Sequence, residues 1–216
     1  MDLESYTMIE SFFIVLWIMM PAYLANTIAV LTGGKYPIDQ GRIHSDGNRI
    51  LGDGKTWSGL IGGTLGGIFV GVIQIEMMTI NRFFSLEFFN LVNQDPWVWH
   101  AVEEDFGAAR FEIYFWSENW LFVFFLLSFG ALFGDMTASF IKRRSQLKRG
   151  DKSPLLDMFD FIGMALLLSF IFANEWLMSW ILDGYVPLFT LLIATPILHR
   201  GVNIIGFKIG VKNEPW

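Results

Sequence analysis

The sequence predicts an all-α, polytopic membrane protein of about five transmembrane helices, with its N-terminus outside and two long polar cytoplasmic loops. Three observations carry that prediction. Charged residues make up 17% of the 216-residue chain while 53% is apolar, against about 25% charged in ordinary soluble domains. Windows poor in charge and about 20 residues long recur along the chain, the length a helix needs to cross roughly 30 Å of hydrocarbon. Lys and Arg gather in alternate connections between those windows, the bias that marks the cytoplasmic side.

The first window, about residues 11–31, has Asn26 as its strongest polar group. Its leader is acidic, it is too long for a signal-peptide core, and no small-residue cleavage pattern follows, so it is expected to be retained. The second, about 58–80, repeats glycine every four residues at Gly59, Gly63, Gly67 and Gly71, with Gly62 and Gly66 beside them. Such a face lets a neighbouring helix approach closely; the alternative use is a groove for an acyl or isoprenoid chain. The third, about 119–141, is interrupted by Asp135, and the fourth, about 155–182, opens with Asp157 and Asp160 and carries Glu175 late. The fifth, about 185–205, holds Pro187 and Pro196. All belong to a single integral membrane domain over residues 1–216.

Residues 33–57 contain Lys35, Arg42, Arg49 and Lys55, and residues 142–153 contain Lys142, Arg143, Arg144, Lys148, Arg149 and Lys152. The C-terminal stretch adds Arg200, Lys208 and Lys212, whereas residues 76–119 hold eight acidic side chains against Arg82 and Arg110. Five spans with the N-terminus outside place every basic segment inside. Trp97, Trp99, Trp116, Trp120, Trp176 and Trp180 then fall toward the outer ends, as interfacial anchors do. The aromatic stretch 81–118 suits an amphipathic helix lying flat in the outer interface. With no cysteine in the chain, disulfides and thiolate metal sites are excluded.

Two polar segments carry the candidate chemistry. Residues 33–58 read GGKYPIDQGRIHSDGNRILGDGKTWS, dense in glycine and in phosphate-binding groups: Lys35, Arg42, Arg49, Lys55, Thr56 and Ser58. A connector that served topology alone would have little need of three Asp, a His and repeated Gly, so the loop is expected to carry function. Gly54-Lys55-Thr56 suggests a P-loop, but a Walker A needs glycine where Arg49 stands and a strand before it. His44 reads as a loop hydrogen-bonder instead of a base. The second segment holds Asp135, Ser139, Lys142 and Arg143, then Asp151, Lys152, Pro154, Asp157 and Asp160.

An ionisable group inside a span, as Asp135 is, marks function by default. Asp157 and Asp160, three apart, share a helical face, although Asp157 also suits the positive end of a helix dipole. Three carboxylates beside Lys and Arg form the oxygen-rich arrangement that Mg²⁺ takes together with substrate phosphates. Phosphoryl and nucleotidyl transfer need positioning and charge neutralisation, which these residues supply. Without converging His or Cys, a nucleophilic triad has no support, and no nucleic acid partner is expected.

Pro21-Ala22-Tyr23-Leu24-Ala25-Asn26, Pro37-Ile38-Asp39, Leu51-Gly52-Asp53-Gly54-Lys55-Thr56-Trp57, Gly134-Asp135, Ser139-Phe140-Ile141-Lys142-Arg143-Arg144 and Pro154-Leu155-Leu156-Asp157-Met158-Phe159-Asp160-Phe161 follow one another over most of the chain. By these motifs the chain resembles the archaeal CDP-archaeol synthases, relatives of the CDP-diacylglycerol synthases. It departs from the broader signature in lacking a His-Gly-Gly and in having Met158 where an Arg is usual.

The resemblance implies a cell-membrane, multi-pass enzyme with its active site on the cytoplasmic face. It would transfer a cytidylyl group from CTP to an isoprenoid ether lipid phosphate, unsaturated archaetidic acid, giving CDP-archaeol and pyrophosphate with Mg²⁺ as cofactor. It assigns Asp135, Asp157 and Asp160 to Mg²⁺, and Lys142 and Arg143 to the lipid phosphate or the pyrophosphate. Asp53, Lys55 and Thr56 would hold the CTP triphosphate or order the first loop over it, with Ser139 alongside. A homodimer is left open. The rival enzyme reading, a CDP-alcohol phosphotransferase, needs Ala-Arg soon after the second Asp, where this chain has Phe161-Ile162-Gly163-Met164. A small transporter subunit would leave both basic loops without a purpose.

Overall fold

A computed structural model describes residues 8–84, 120–147, 153–182, 185–208 and 210. The expected interfacial segment beyond residue 84, with Trp97, Trp99 and Trp116, lies outside the described residues, as do Asp151 and Lys152. Regular structure among the described residues is helical: α1 (Met8–Ile18), α2 (Met20–Thr32), α3 (Trp57–Phe84), α4 (Trp120–Arg144), α5 (Pro154–Phe172), α6 (Asn174–Trp180) and α7 (Tyr185–Lys208). Trp57–Met77 of α3, all of α4 and all of α7 are long and apolar enough to cross a membrane. The 25 residues of α4 extend for about 37 Å.

The first and fourth windows are each two helices, not one. Pro21 has no N–H, so the carbonyl of Trp17 loses its partner one turn on, and the backbone turns at Met19. The ladder resumes on either side, Met19 N donating to Val15 O and Tyr23 N to Met19 O, each at 3.1 Å. The buried side chain of Gln74 reaches across from α3 and donates to Trp17 O. In the fourth window the backbone leaves helical dihedrals at Ala173 (φ −141°, ψ 49°), and α6 follows.

The glycine face of α3 is filled by helices. A Cβ at Gly63 would lie 2.7 Å from Ala25 O, at Gly67 2.2 Å from Ser128 Oγ, and at Gly71 2.4 Å from the Phe124 ring. Gly62 and Gly66 are covered by Thr32 and Ile28. The stripe therefore packs α3 on α2 and α4 and leaves no groove for a lipid chain along these positions. Because lipid tails are as apolar as the side chains they replace, such close contact is what holds helices together in a membrane.

On its other side α4 meets α5 as tightly, through a second glycine pair one turn apart. A Cβ at Gly130 would lie 2.7 Å from Ala165 Cα, and at Gly134 2.1 Å from Asp160 O. Val15, Met19, Ala22, Leu127, Ala131 and Phe161 form the shared buried core of α1, α2, α4 and α5. Helix α7 is tied to α2 by Tyr23 Oη and Thr195 Oγ1, 3.0 Å apart. Ile61, Leu65, Phe69 and Ile73 stand exposed along one side of α3, the stripe a membrane helix presents to lipid.

Candidate active site

The loop between α2 and α3 is built around Asp39, whose side chain is 0% exposed. Its carboxylate accepts from Arg49 Nη2 at 2.7 Å and Nε at 3.1 Å. It also accepts from the backbone N–H groups of Gly41 (3.1 Å), Leu51 (3.0 Å) and Gly52 (2.9 Å). Gly41 and Gly52 have φ of 82° and 104°, a left-handed backbone in which a side chain would be strained. The Arg49 guanidinium, helped by the three N–H groups, holds the Asp39 carboxyl well below the usual carboxylate range. Arg49 also pairs with the exposed Asp53 at 2.9 Å.

The two ends of the loop close on each other, with Ile38 N donating to Lys55 O at 2.9 Å and Trp57 N to Tyr36 O at 3.0 Å. Buried Thr56 accepts from Gly59 N at 3.1 Å and so caps α3. This fixes Lys55 at the mouth of that helix. His44 sits 3.1 Å from Ser45 Oγ on the exposed side of the loop, a local hydrogen-bonding role.

The loop docks on the last turn of α4. Arg144 donates through Nη2 to Arg49 O at 2.8 Å, lies 3.2 Å from Asp46 through Nη1, and holds its guanidinium 5.1 Å from the centre of the Phe140 ring. Arg143 donates to Leu147 O at 2.6 Å and points its Nε toward Gly52. The two basic segments that the sequence separates by some 90 residues thus meet at one end of the helix bundle. Asp39 and Arg144 were not singled out for this; the signal for Arg144 was three basic residues in one helical turn, of which only two were given roles.

Beneath the loop, Lys55 forms an ion pair with Asp135, and Lys142 with Asp157. Asp135, Ser139 and Lys142 stand at i, i+4 and i+7 on α4 and so share a face. Asp157 also accepts from Ser153 N at 3.0 Å, in the first turn of α5. The close approach at Gly134 sets the backbone of Asp160 against α4, and Asp160 Oδ1 accepts from Phe161 N at 2.6 Å. Asp135 and Asp157 therefore stand as lysine-paired groups. Among the described residues no three His, Cys, Asp or Glu side chains are grouped to hold one ion. Mg²⁺ asks for less, one or two carboxylates with waters and substrate phosphates.

A cavity of about 90 Å³ opens between α2, the start of α3 and α4, bounded by Asn26, Lys55, Thr56, Leu132, Asp135 and Met136. Ammonium groups and a capped helix start at one end of an apolar bundle, beside paired carboxylates, form a membrane-embedded site suited to phosphate chemistry. The family model described as CarS-like, CDP-archaeol synthase, matches residues 8–108 and 96–216. The chain belongs to the CDP-archaeol synthase family.

The CDP-archaeol synthase of Methanosarcina barkeri is 42% identical over 198 residues, 92% of this chain and 100% of that protein. That of Picrophilus torridus is 39% identical over 202 residues, 93% of this chain and 95% of its own length. A solved structure of an intramembrane enzyme for archaeal membrane lipid biosynthesis superposes with a TM-score of 0.57 at 29% identity, covering 88% of this chain and 92% of that one.

Proposed function

We propose that the protein transfers the cytidylyl group of CTP to an isoprenoid ether lipid phosphate, unsaturated archaetidic acid, and releases pyrophosphate. A phosphate oxygen of the lipid attacks the α-phosphorus of CTP as the bond to the leaving pyrophosphate breaks. A phosphate dianion is already nucleophilic, so the absence of a dedicated base costs nothing. The observation that carries the reading is the pairing of Lys55 with Asp135 and of Lys142 with Asp157, a site with cations to exchange onto phosphates and carboxylates to take a metal.

Lys55 binds the triphosphate, while Thr56 and Asp53 keep the loop closed beside it. Lys142 and Arg143 take the lipid phosphate or the departing pyrophosphate, and Ser139 lies on the same face of α4. Asp135 and Asp160, with Asp157 one turn from Asp160, would hold Mg²⁺, which neutralises charge on the phosphates when bound. The position of Lys35, Arg42, Arg49, Lys55 and Lys142 to Arg144 at one end of the bundle supports a cytoplasmic site in a cell-membrane protein.

The test is incorporation of label from CTP into lipid by the purified protein with Mg²⁺ and a series of lipid phosphates. Asp160→Asn is expected to lose activity by about 10²-fold or more, the loss typical when charge stabilisation is removed from a transition state. A fully active Asp160→Asn would take that residue out of the site, and no labelled lipid with any acceptor would overturn the enzyme reading.

A further inference from the structure

We propose that the loop between α2 and α3 seats on anionic lipid headgroups at two matched edges, Lys35-Tyr36 beside Trp57 and Arg42-Ile43 beside Phe140. This seat lies outside the cytidylyl-transfer reading and does not depend on it. The loop holds Lys35, Arg42, Arg49 and Lys55 and uses them in two ways. Arg49 and Lys55 are paired with carboxylates, while Lys35 and Arg42 stand exposed with no ion pair among the described residues. Each of these two unpaired cations is followed directly by an exposed apolar side chain: Tyr36 is 76% and Ile43 67% exposed.

Singly exposed apolar residues are ordinary on a protein surface, but the placement of these two settles what meets them. Trp57, 47% exposed, opens the membrane-length part of α3. It stands one turn ahead of Ile61, where the lipid-facing stripe of that helix begins. Trp57 N donates to Tyr36 O at 3.0 Å, which sets Tyr36 at the same level, the depth at which Tyr and Trp collect in a bilayer. Tyr36 also holds a φ of 58°, a left-handed backbone that bulky residues avoid and that proteins keep where function depends on it. The second edge repeats the arrangement on α4. His44, next to Ile43, meets the Phe140 ring edge to face with centroids 6.5 Å apart, and Phe140 and Ile141 are exposed about one turn before α4 ends at Arg144.

A surface at this depth on the outside of a helix bundle meets headgroups before it meets any soluble protein, and the sign of the unpaired charges selects among them. Each Lys or Arg close to an anionic leaflet adds about a fivefold preference for the seated state. A zwitterionic leaflet gives the apolar side chains their place but offers the two cations no net attraction. Because Ile38 N donates to Lys55 O as well, lipid held at the first edge steadies the backbone on both sides of Lys55.

The chain has no cysteine, so one spin label reports one position. Full-length protein carrying a labelled Tyr36→Cys or Ile43→Cys is reconstituted in vesicles of phosphatidylcholine, alone or with one third phosphatidylglycerol. Depth is read from relaxation of the label by oxygen against a water-soluble nickel complex. Both labels are expected to be immersed near the phosphate level in the anionic vesicles. They should shift about fivefold toward water for each cation removed by Lys35→Gln or Arg42→Gln. The dependence on lipid charge should vanish at about 1 M salt, where the screening length falls to about 3 Å. Labels as open to water in anionic vesicles as in neutral ones overturn the seat and leave this edge to a soluble partner. A charge dependence that survives in the Lys35→Gln, Arg42→Gln double variant overturns the assignment to these two cations.

Discussion

Replacing Gly134 by alanine tests whether the site depends on how closely α4 and α5 cross. The new Cβ would stand 2.1 Å from Asp160 O, 2.8 Å from Asp160 C and 2.9 Å from Met164 Cβ. A carbon–oxygen contact relaxes beyond about 3.3 Å, and because the Asp160 oxygen is backbone, the whole helix must recede by about 1 Å. Overpacking of this kind costs about 1–3 kcal/mol, which lowers the melting temperature in detergent by about 5 °C. The larger effect is on catalysis. Asp135 and Asp160 sit on the two sides of this contact, and a misplacement of about 1 Å costs about 10²-fold in rate. Gly163→Ala on the same helix α5 is the control, since nothing lies within 4 Å of a Cβ there; it should keep full activity. Label transfer from CTP and thermal unfolding of both variants decide the matter. A Gly134→Ala protein with unchanged kcat would refute the claim that this crossing sets the site.

Asp39→Asn should loosen the first loop and raise KM for CTP by about tenfold, because Arg49 and three backbone N–H groups lose their shared anion. The same carboxylate gives a pH dependence. A carboxyl whose folded pKa is depressed stabilises at pH above its unfolded value near 3.8 and ceases to do so only as pH falls through the folded value. Amide exchange at Leu51 and Gly52, measured relative to Asp39→Asn, should therefore stay protected from pH 7 to about pH 4 and lose protection below that; loss of protection near pH 6 would contradict it. Arg144→Lys keeps the charge but not the fork that reaches Asp46 and Arg49 O together. KM for CTP should rise about tenfold with kcat near the starting value, and a pure kcat defect would place Arg144 in the chemistry instead.

Much of the site was legible in the sequence because membrane proteins advertise their polar residues. Asp135 stands out inside a span, and the basic segments around Lys55 and Lys142 stand out between spans. Their meeting could be inferred from sidedness alone. What the pattern could not give was pairing. Whether Asp157 turns to a metal or to Lys142 depends on rotamers and on the angle of α5, and spacing of three residues is silent on both. Asp39 was hidden for a different reason: a loop carboxylate bound to backbone amides and one arginine looks like any solvated acid until the glycine conformations are known. The break at Met19 could be read in hindsight from Pro21, but a hydropathy window averages over a proline and sees one span.

That break has a consequence for how the protein is made. No water is present in a bilayer core to satisfy a stray carbonyl, and leaving one open costs several kcal/mol. The donor that Gln74 supplies to Trp17 O comes from 57 residues downstream. A nascent chain that has emerged only as far as Thr32 lacks that donor, so the first hydrophobic segment is not a finished unit when it leaves the ribosome. It becomes one when the glycine-faced helix arrives and closes against it. Insertion of the N-terminal third is in this sense a two-part lock, in which the second part carries the loop built around Asp39 into position as it seats.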